Sequence, residues 1–207
     1  MSETTTSSRR PRGRPRLFDE EAVLDQLTAL FWDKGYSQTS VSDLVGASGV
    51  HKSSLYSTFG TKDELFARIL RRYFETRMTG FRSVIASAGP GIDGIHAFLE
   101  FLREQMLAEV GQQGCLLVNT SIELSGSAPG FENFAHEYRV AMRDAIVGLM
   151  AQARPFDTID DPITQQRADV FLMFMFGLTT CSRGGADDAE VGRIVEAMHA
   201  TVDTWRN

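Results

Sequence analysis

Residues 39–66, TSVSDLVGASGVHKSSLYSTFGTKDELF, decide the fold of this chain. Ser40 precedes Asp43 by three residues, the spacing of a capping box, and therefore predicts the start of a helix. Gly49 can adopt the left-handed conformation that ends this helix and begins a turn. The residues that follow predict a second short helix over 52–58. Two short helices joined at a glycine turn are typical of a helix-turn-helix.

The exposed side of the second helix is small, polar and cationic, which suits the major groove of DNA. We expect Lys52 to contact base edges or a phosphate, and Tyr56 to contact a phosphate. Thr61 and Glu64 form another capping box, which places Lys62 in the first turn of a third helix, where anions bind. The predicted DNA contacts within this stretch are Thr39, His51, Lys52, Ser53, Tyr56, Ser57 and Lys62.

Over residues 19–66 the chain resembles the tetracycline-repressor (TetR/AcrR-type) family of bacterial regulators. The residues at the spacing of that family's DNA-binding signature are Tyr36, Thr39, Gly49, Val50, Leu55, Tyr56, Phe59, Lys62 and Leu65. Ser48 and His51 depart from the family's usual Ala and Ser-like residues, and His51 is a poorer helix cap. Beyond residue 66 the resemblance is one of architecture alone. It implies a homodimeric regulator of transcription, most simply a repressor, that binds a palindromic operator and responds to a small molecule.

The composition and charge of the chain limit the classes of protein to which it can belong. The chain has 207 residues, two cysteines and no apolar run long enough to span a bilayer, so we expect neither a disulfide scaffold nor a membrane protein. Residues 1–8 lack the apolar core of a secretory signal, and the cytoplasm is the expected location. The net charge of −6 is uneven: residues 1–80 hold 12 Lys and Arg against 10 Asp and Glu, whereas residues 81–207 hold 9 against 17. Positive charge is thus concentrated in the predicted DNA-binding half.

A basic arm at residues 1–16 is predicted to be disordered, because it contains two prolines and has nothing apolar to bury. Its Pro-Arg-Gly-Arg-Pro core looks like an AT-hook, in which an extended Arg-Gly-Arg follows a narrow A·T-rich minor groove. The alternative is a basic tail that adds only non-specific affinity for phosphates. The arginines expected to contact DNA are Arg12, Arg14 and Arg16.

The fold is predicted to be all-α. A three-helix DNA-binding head occupies residues 17–60, a connecting helix and linker occupy 61–90, and a larger helical body occupies 91–207. The body carries apolar stripes at helical spacing and no strand pattern.

A homodimer is predicted from the last two helices. The helix predicted over residues 165–183 is apolar on nearly every side and has to be covered all round, and the helix after it carries a matching stripe. A two-fold four-helix bundle would cover both and would place two recognition helices on a palindrome. The alternative is a monomer with a wholly internal apolar helix. The residues assigned to the interface are Phe176, Val191, Val195, Met198 and Val202.

A ligand pocket is predicted inside the body, where a lining rich in Phe and Met suits an apolar or aromatic molecule. Each of these residues could equally be ordinary core. The predicted lining comprises Phe98, Leu102, Cys115, Met142, Phe171, Phe174 and Met175.

No catalytic or metal-ligating constellation stands out, so we expect neither an enzyme nor a cofactor or metal. Cys115 follows Gly114 at a predicted helix start and could sense oxidants or electrophiles, although a buried cysteine is the commoner reading. A non-specific architectural DNA-binding protein, a ligand-independent regulator and an activator also remain open.

Overall fold

The computed structural model describes residues 18–125, 131–153 and 157–206. These residues form helices and connecting turns, without strands, which confirms the all-α prediction. The basic arm with Arg12, Arg14 and Arg16 lies outside the described residues. The elements are α1 (Glu20–Lys34), α2 (Val41–Ser48), α3 (Lys52–Phe59), α4 (Lys62–Ser87), α5 (Gly91–Leu107), a 3₁₀ helix (Glu109–Gln113), α6 (Leu116–Glu123), α7 (Phe131–Met150), α8 (Pro162–Arg183), α9 (Asp188–Asp203) and a final 3₁₀ turn (Thr204–Arg206).

Both predicted capping boxes are confirmed. Ser40 accepts a hydrogen bond from the Asp43 backbone N–H at 3.2 Å, and the Asp43 carboxylate accepts one from the Ser40 N–H at 2.8 Å. Hydrogen bonds from Lys34 and Ser40 hold the pKa of Asp43 well below its usual value. Gly49 ends α2 in the left-handed conformation, at φ 65°. These contacts are local, which is why spacing along the chain predicts them.

The head is built around α1, which packs against α2 and the start of α4, while α3 packs against α2. Aromatic rings fill its centre: the centroid of Phe66 lies 4.7 Å from that of Phe31 and 4.9 Å from that of Tyr36. Such ring pairs stabilise the fold by more than the burial of their apolar area alone. The buried hydrophobic residues of the head and of the start of α4 are Val23, Leu24, Leu27, Phe31, Leu44, Val50, Leu55, Phe59, Leu65 and Phe66.

Helix α4 belongs to both parts of the molecule. Two arginines in its first half bind acidic residues of α1: Arg68 pairs with Glu20 at 3.1 Å, and Arg72 pairs with Asp25 at 2.7 Å. Its second half enters the body, where Met78 is 3% exposed. Helix α4 therefore connects the packing of the body directly with α1 in the head.

The position of α9 corrects one prediction. Val191, Val195, Met198 and Val202 are at most 6% exposed in the single chain, and α9 packs mainly on α5. This stripe is core of the protomer, so its side chains are not available to a second copy. Helix α5 supplied the covering surface, and helical periodicity cannot say which surface covers an apolar face.

A buried ion pair holds the start of α8. Arg167 pairs with Asp157 at 3.2 Å, with the side chains 8% and 6% exposed, and it also donates to the Trp205 carbonyl at 3.4 Å. Removing one partner from such a pair leaves the other charge buried without full compensation. The pair therefore ties the segment before α8 to the C-terminal turn.

We expect Arg167→Met to lower the free energy of unfolding by about 3 kcal/mol in urea titrations, because the buried ion pair between Arg167 and Asp157 would be lost. The matched control is Arg206→Met, which removes exposed pairs with Asp93 and Asp203 and should leave that free energy almost unchanged. Equal losses of unfolding free energy in the two variants would contradict the prediction that the buried ion pair stabilises the fold more than the exposed pairs do.

Candidate DNA-binding surface and ligand cavity

Helix α3 presents a polar face to solvent and an apolar face to the head. Lys52, Ser53 and Ser57 are exposed, and Tyr56 is 39% exposed, whereas Leu55 is 3% exposed. The Lys52 ammonium lies 5.7 Å from the centroid of the Tyr56 ring. A cation, a phenol and small hydroxyls thus share one accessible surface on a short helix, which suits a DNA groove.

His51 stands immediately before α3 and is exposed. It makes no side-chain capping bond, as expected for a residue that caps poorly. Its imidazole is consequently not engaged by the helix start and faces solvent beside Lys52.

Lys62 is positioned by an aromatic ring. Its ammonium lies 4.1 Å from the centroid of Tyr36, a cation–π distance, and partial burial lowers the pKa of Lys62. The Tyr36 hydroxyl donates to Asp63. Burial and this hydrogen bond raise the pKa of Tyr36 to about 12, so the ring stays neutral beneath the ammonium.

Thr39 requires a correction. We expected its hydroxyl to bind a phosphate, but its side chain is 1% exposed and donates to the Gly35 carbonyl at 2.5 Å. The hydroxyl braces the turn between α1 and α2. A phosphate could not reach it without displacing this bond.

Glu123, at the end of α6, binds the same turn between α1 and α2. Its carboxylate accepts hydrogen bonds from the backbone N–H groups of Tyr36, at 3.0 Å, and Ser37, at 2.6 Å. Although partial burial acts to raise it, these bonds hold the pKa of Glu123 below its usual value. Arg183 adds a second tie from the body, donating to the Trp32 carbonyl at 3.2 Å. The head is thus fastened to α6 and α8 as well as to α4.

The body contains a cavity of about 260 Å³ between α4, α5, α6, α7 and α8. Most of its wall is apolar. The lining residues are Thr76, Arg77, Gly80, Phe81, Val84, Phe101, Leu102, Gln105, Met106, Cys115, Val118, Tyr138, Met142, Met175, Phe176, Leu178 and Thr179.

Comparison with known proteins identifies the family. Residues 23–69 match the family model described as bacterial regulatory proteins, tetR family. Over 206 residues the chain is 29% identical to the HTH-type transcriptional repressor ComR of Escherichia coli K12, a match covering 99% of this chain and 97% of that protein. It is 27% identical over 198 residues to the repressor BdcR of the same organism, covering 96% and 92%. This chain is a transcriptional regulator of the tetR family.

Solved structures agree in fold. A cysteine variant of the TetR family regulator CifR, complexed with 26-bp operator DNA, is similar at a TM-score of 0.77 and 23% identity, over 90% of this chain and 98% of that one. Reduced NemR of E. coli is similar at a TM-score of 0.74 and 18% identity, over 90% and 95%. The tetR family comprises non-enzymatic DNA-binding proteins, so this regulator acts on transcription rather than by catalysis. Within the described residues, no helix is both long and apolar enough to cross a membrane.

The cavity of this TetR-family regulator includes only part of the lining that we expected. Leu102, Cys115, Met142 and Met175 line it. Three phenylalanines do not: Phe98, Phe171 and Phe174 pack on one another instead, with Phe98 and Phe171 fully buried. Phe176, which we assigned to the dimer interface, lines the cavity and also borders an outer groove together with Met173 and Ile122. A stripe of one helix contains both core and cavity residues, and the sequence pattern is the same for both.

Sequence reasoning also missed a polar cluster between α5 and α9. His96 and His199 stack with ring centroids 4.8 Å apart, and their Nδ1 atoms lie 2.5 Å apart. Nε2 of His96 lies 3.1 Å from Asp203, and Nε2 of His199 lies 2.7 Å from Glu100. The two histidines are 103 residues apart, beyond any local motif. Among the described residues, no group of three or more His, Cys, Asp or Glu is placed to hold a metal ion.

For the recognition helix of this regulator, we expect Lys52→Ala to cost about 1–3 kcal/mol of binding free energy and to relax preference at one position of each half-site. Lys62→Ala should instead weaken binding to all sequences alike. The DNA for these measurements is the sequence that the wild-type protein selects from a random pool, compared with scrambled DNA in fluorescence anisotropy.

Lys34→Ala is the matched control, because Lys34 is exposed on the head but already pairs with Asp43 at 2.7 Å. Equal, sequence-independent losses for Lys52→Ala and Lys62→Ala would show that Lys52 contacts a phosphate. Base readout would then fall to Ser53, Ser57 or His51.

Proposed function

We propose that this regulator is a homodimeric repressor that binds a palindromic operator and releases it when a small molecule enters the body cavity. The observation that carries the proposal is the course of α4, whose first half is bound to the DNA-binding head while Thr76, Arg77 and Gly80 of its second half line the cavity. Occupancy of the cavity is thereby linked to the position of the head. The relatives named as repressors support the direction of the regulation, and this function requires the cytoplasm.

At the operator, α3 would lie in the major groove, with Lys52 and Ser53 at base edges and Tyr56 on a phosphate. Lys62 would bind a neighbouring phosphate from its place on the Tyr36 ring. Ser57 and His51 complete the exposed surface. The arm would follow the adjacent minor groove through Arg12, Arg14 and Arg16.

The dimer would form on α8, which retains an uncovered apolar stripe. Ile163, Val170 and Met173 are 48%, 51% and 56% exposed, and Gly177 and Thr180 continue the same helical spacing. A Cβ at Gly177 would meet open space, so another helix can approach closely there. Ile122 of α6 is 64% exposed and borders the same groove as Met173. A two-fold pairing of α8 with its copy would cover these side chains.

We expect the wild type to sediment as a dimer and to select an inverted repeat from random DNA. Met173→Glu should sediment as a monomer and lose preference for the repeat, because each protomer would carry a charge into the apolar contact. The matched control is Ile159→Glu, since Ile159 is equally exposed, at 56%, but precedes α8.

A monomeric wild type, or selection of sequences without symmetry, would overturn the proposed palindrome-binding dimer. Selection without any sequence preference would instead favour the non-specific architectural alternative. A dimeric Met173→Glu would exclude the α8 stripe as the interface.

The switch would use two connections between body and head. Cys115, which precedes α6, and Val118 of α6 line the cavity, and this helix ends at Glu123, which binds the turn between α1 and α2. A ligand that favours one arrangement of α4 and α6 therefore favours one position of the head. Two such positions in each protomer change the spacing of the recognition helices, which is how a ligand could release the operator.

Glu123→Ala should accelerate hydrogen exchange at the Tyr36 and Ser37 amides and weaken binding to the selected DNA, because the turn loses its acceptor. The matched control is Glu137→Ala, which removes an exposed pair with Arg71 at 2.7 Å and should change neither quantity. Unchanged exchange in Glu123→Ala, measured by mass spectrometry, would show that Glu123 does not hold the head.

The thiol-sensing alternative receives less support. Cys115 is 3% exposed, and its neighbours at the sulfur are the hydroxyls of Tyr73 and Tyr138. A reactive thiol needs both thiolate and access. Reversible binding in the cavity requires no thiolate, and we retain it as the proposed signal.

A further inference from the structure

The cavity wall contains a cation without an acidic partner. Arg77 of α4 lines the cavity and is exposed, so an entering molecule can reach it. Its guanidinium lies 5.9 Å from the centroid of the Tyr73 ring, and Cys115 and Tyr138 line the same cavity. No ion pair with Arg77 occurs in the described part of the chain. The other lining side chains are apolar or neutral.

A chain of hydrogen bonds leads to the same cavity. The Leu116 backbone N–H donates to the Tyr73 hydroxyl at 3.4 Å, and that hydroxyl donates to the Cys115 sulfur at 3.8 Å. The thiol in turn donates to the Tyr138 hydroxyl at 3.5 Å. Tyr138 lines the cavity at 5% exposure, and the Cys115 sulfur is the hydrogen-bond partner of its hydroxyl among the described residues. The chain therefore ends at a hydroxyl on the cavity wall, which can donate to a ligand.

Both tyrosines remain neutral in this setting. Burial raises the pKa of Tyr73 and of Tyr138 well above its usual value. Neither is therefore a phenolate that could neutralise Arg77. A guanidinium and a hydroxyl at the cavity wall can both donate hydrogen bonds, so the group that would complete the site is an acceptor with a negative charge.

The size and remaining walls of the cavity define the rest of the ligand. A cavity of about 150 Å³ accommodates benzene, so about 260 Å³ corresponds to roughly ten to twelve non-hydrogen atoms. Phe81, Phe101, Met142 and Met175 offer aromatic and thioether surface to the apolar part. We propose that the cavity is a receptor for a small apolar carboxylate. The carboxylate group pairs with Arg77 and accepts a hydrogen bond from the Tyr138 hydroxyl. The hydrocarbon part of the ligand packs among these Phe and Met side chains.

The inference deepens the proposed function and rests on it for the regulatory consequence. Arg77 lies on α4, five residues beyond Arg72, which binds Glu21 and Asp25 of α1. A carboxylate that draws the Arg77 guanidinium into the cavity therefore acts on the helix that holds the head. Binding energy at the anion would be converted directly into a preference for one position of α4.

The test compares 3-phenylpropionate with 3-phenylpropanamide, which has nearly the same shape but no charge, by isothermal titration calorimetry. We expect the wild type to bind the acid at least tenfold more tightly than the amide. Arg77→Met should remove this difference, and Tyr138→Phe should reduce affinity for the acid several-fold. Arg82→Met is the matched control on the same helix and should behave as the wild type.

Equal affinities of the wild type for acid and amide, or no binding of either, would overturn the proposal, and this comparison does not depend on the folding of any variant. Retention of the preference in Arg77→Met would overturn the role of Arg77. Release of the selected DNA by the amide, without any preference for the acid, would refute the anion site and leave the ligand-responsive repressor intact. An acid preference without release of DNA would keep the site and refute its regulatory role.

Discussion

The burial of one face of α4 is the constraint on which the rest of the structure depends. Phe66, Ile69, Leu70 and Tyr73 are between 0% and 8% exposed, and this single run of side chains passes from the core of the head into the core of the body. A helix buried in this way cannot tilt in one part and stay in place in the other, because close-packed interiors resist continuous deformation. The head therefore takes its position from the body. This property makes a cavity in the body relevant to DNA binding.

The remaining contacts between head and body refine that position. Phe131, at the start of α7, packs its ring against Tyr36 and Phe66, with centroids 5.6 Å and 5.4 Å apart. The Tyr36 ring also makes a cation–π contact with the Lys62 ammonium, and the Tyr36 backbone N–H donates a hydrogen bond to Glu123. One tyrosine thus joins a candidate phosphate contact to two helices of the body. Its ring is a structural support for the DNA-binding surface rather than a part of it.

The arginines of the molecule differ in whether they pair with carboxylates or line the cavity. Arg68, Arg72 and Arg167 are all paired with carboxylates, and they join elements that must stay together. Arg77 faces a cavity and has tyrosines and a thiol for neighbours. The contrast matters because a paired arginine is already neutralised, whereas an unpaired one in an apolar wall gains most from an incoming anion. The same helix therefore carries arginines with opposite uses.

Local sequence determined the start and end of the DNA-binding helices. The Ser40–Asp43 and Thr61–Glu64 boxes and the turn at Gly49 act within four residues, so their spacing in the chain is sufficient to predict them. Charge, composition and the resemblance over residues 19–66 led to the same family as the comparisons. Thr39 shows the limit: its place in the signature was visible, but its bond to the Gly35 carbonyl was not.

Only the tertiary structure decided which surface covers each apolar stripe. Val195 and Met173 look alike in sequence, yet α5 buries Val195 in the protomer while Met173 remains 56% exposed. In the same way, Phe171 and Phe176 lie on one helix, yet Phe171 is core and Phe176 lines the cavity. Arg77, Cys115 and Tyr138 come from separate parts of the chain and lie side by side at the cavity. Hydrophobic burial is non-directional, so periodicity states that a face must be covered without naming its partner. Partners, cavities and unpaired charges arise only when helices distant in sequence are packed together.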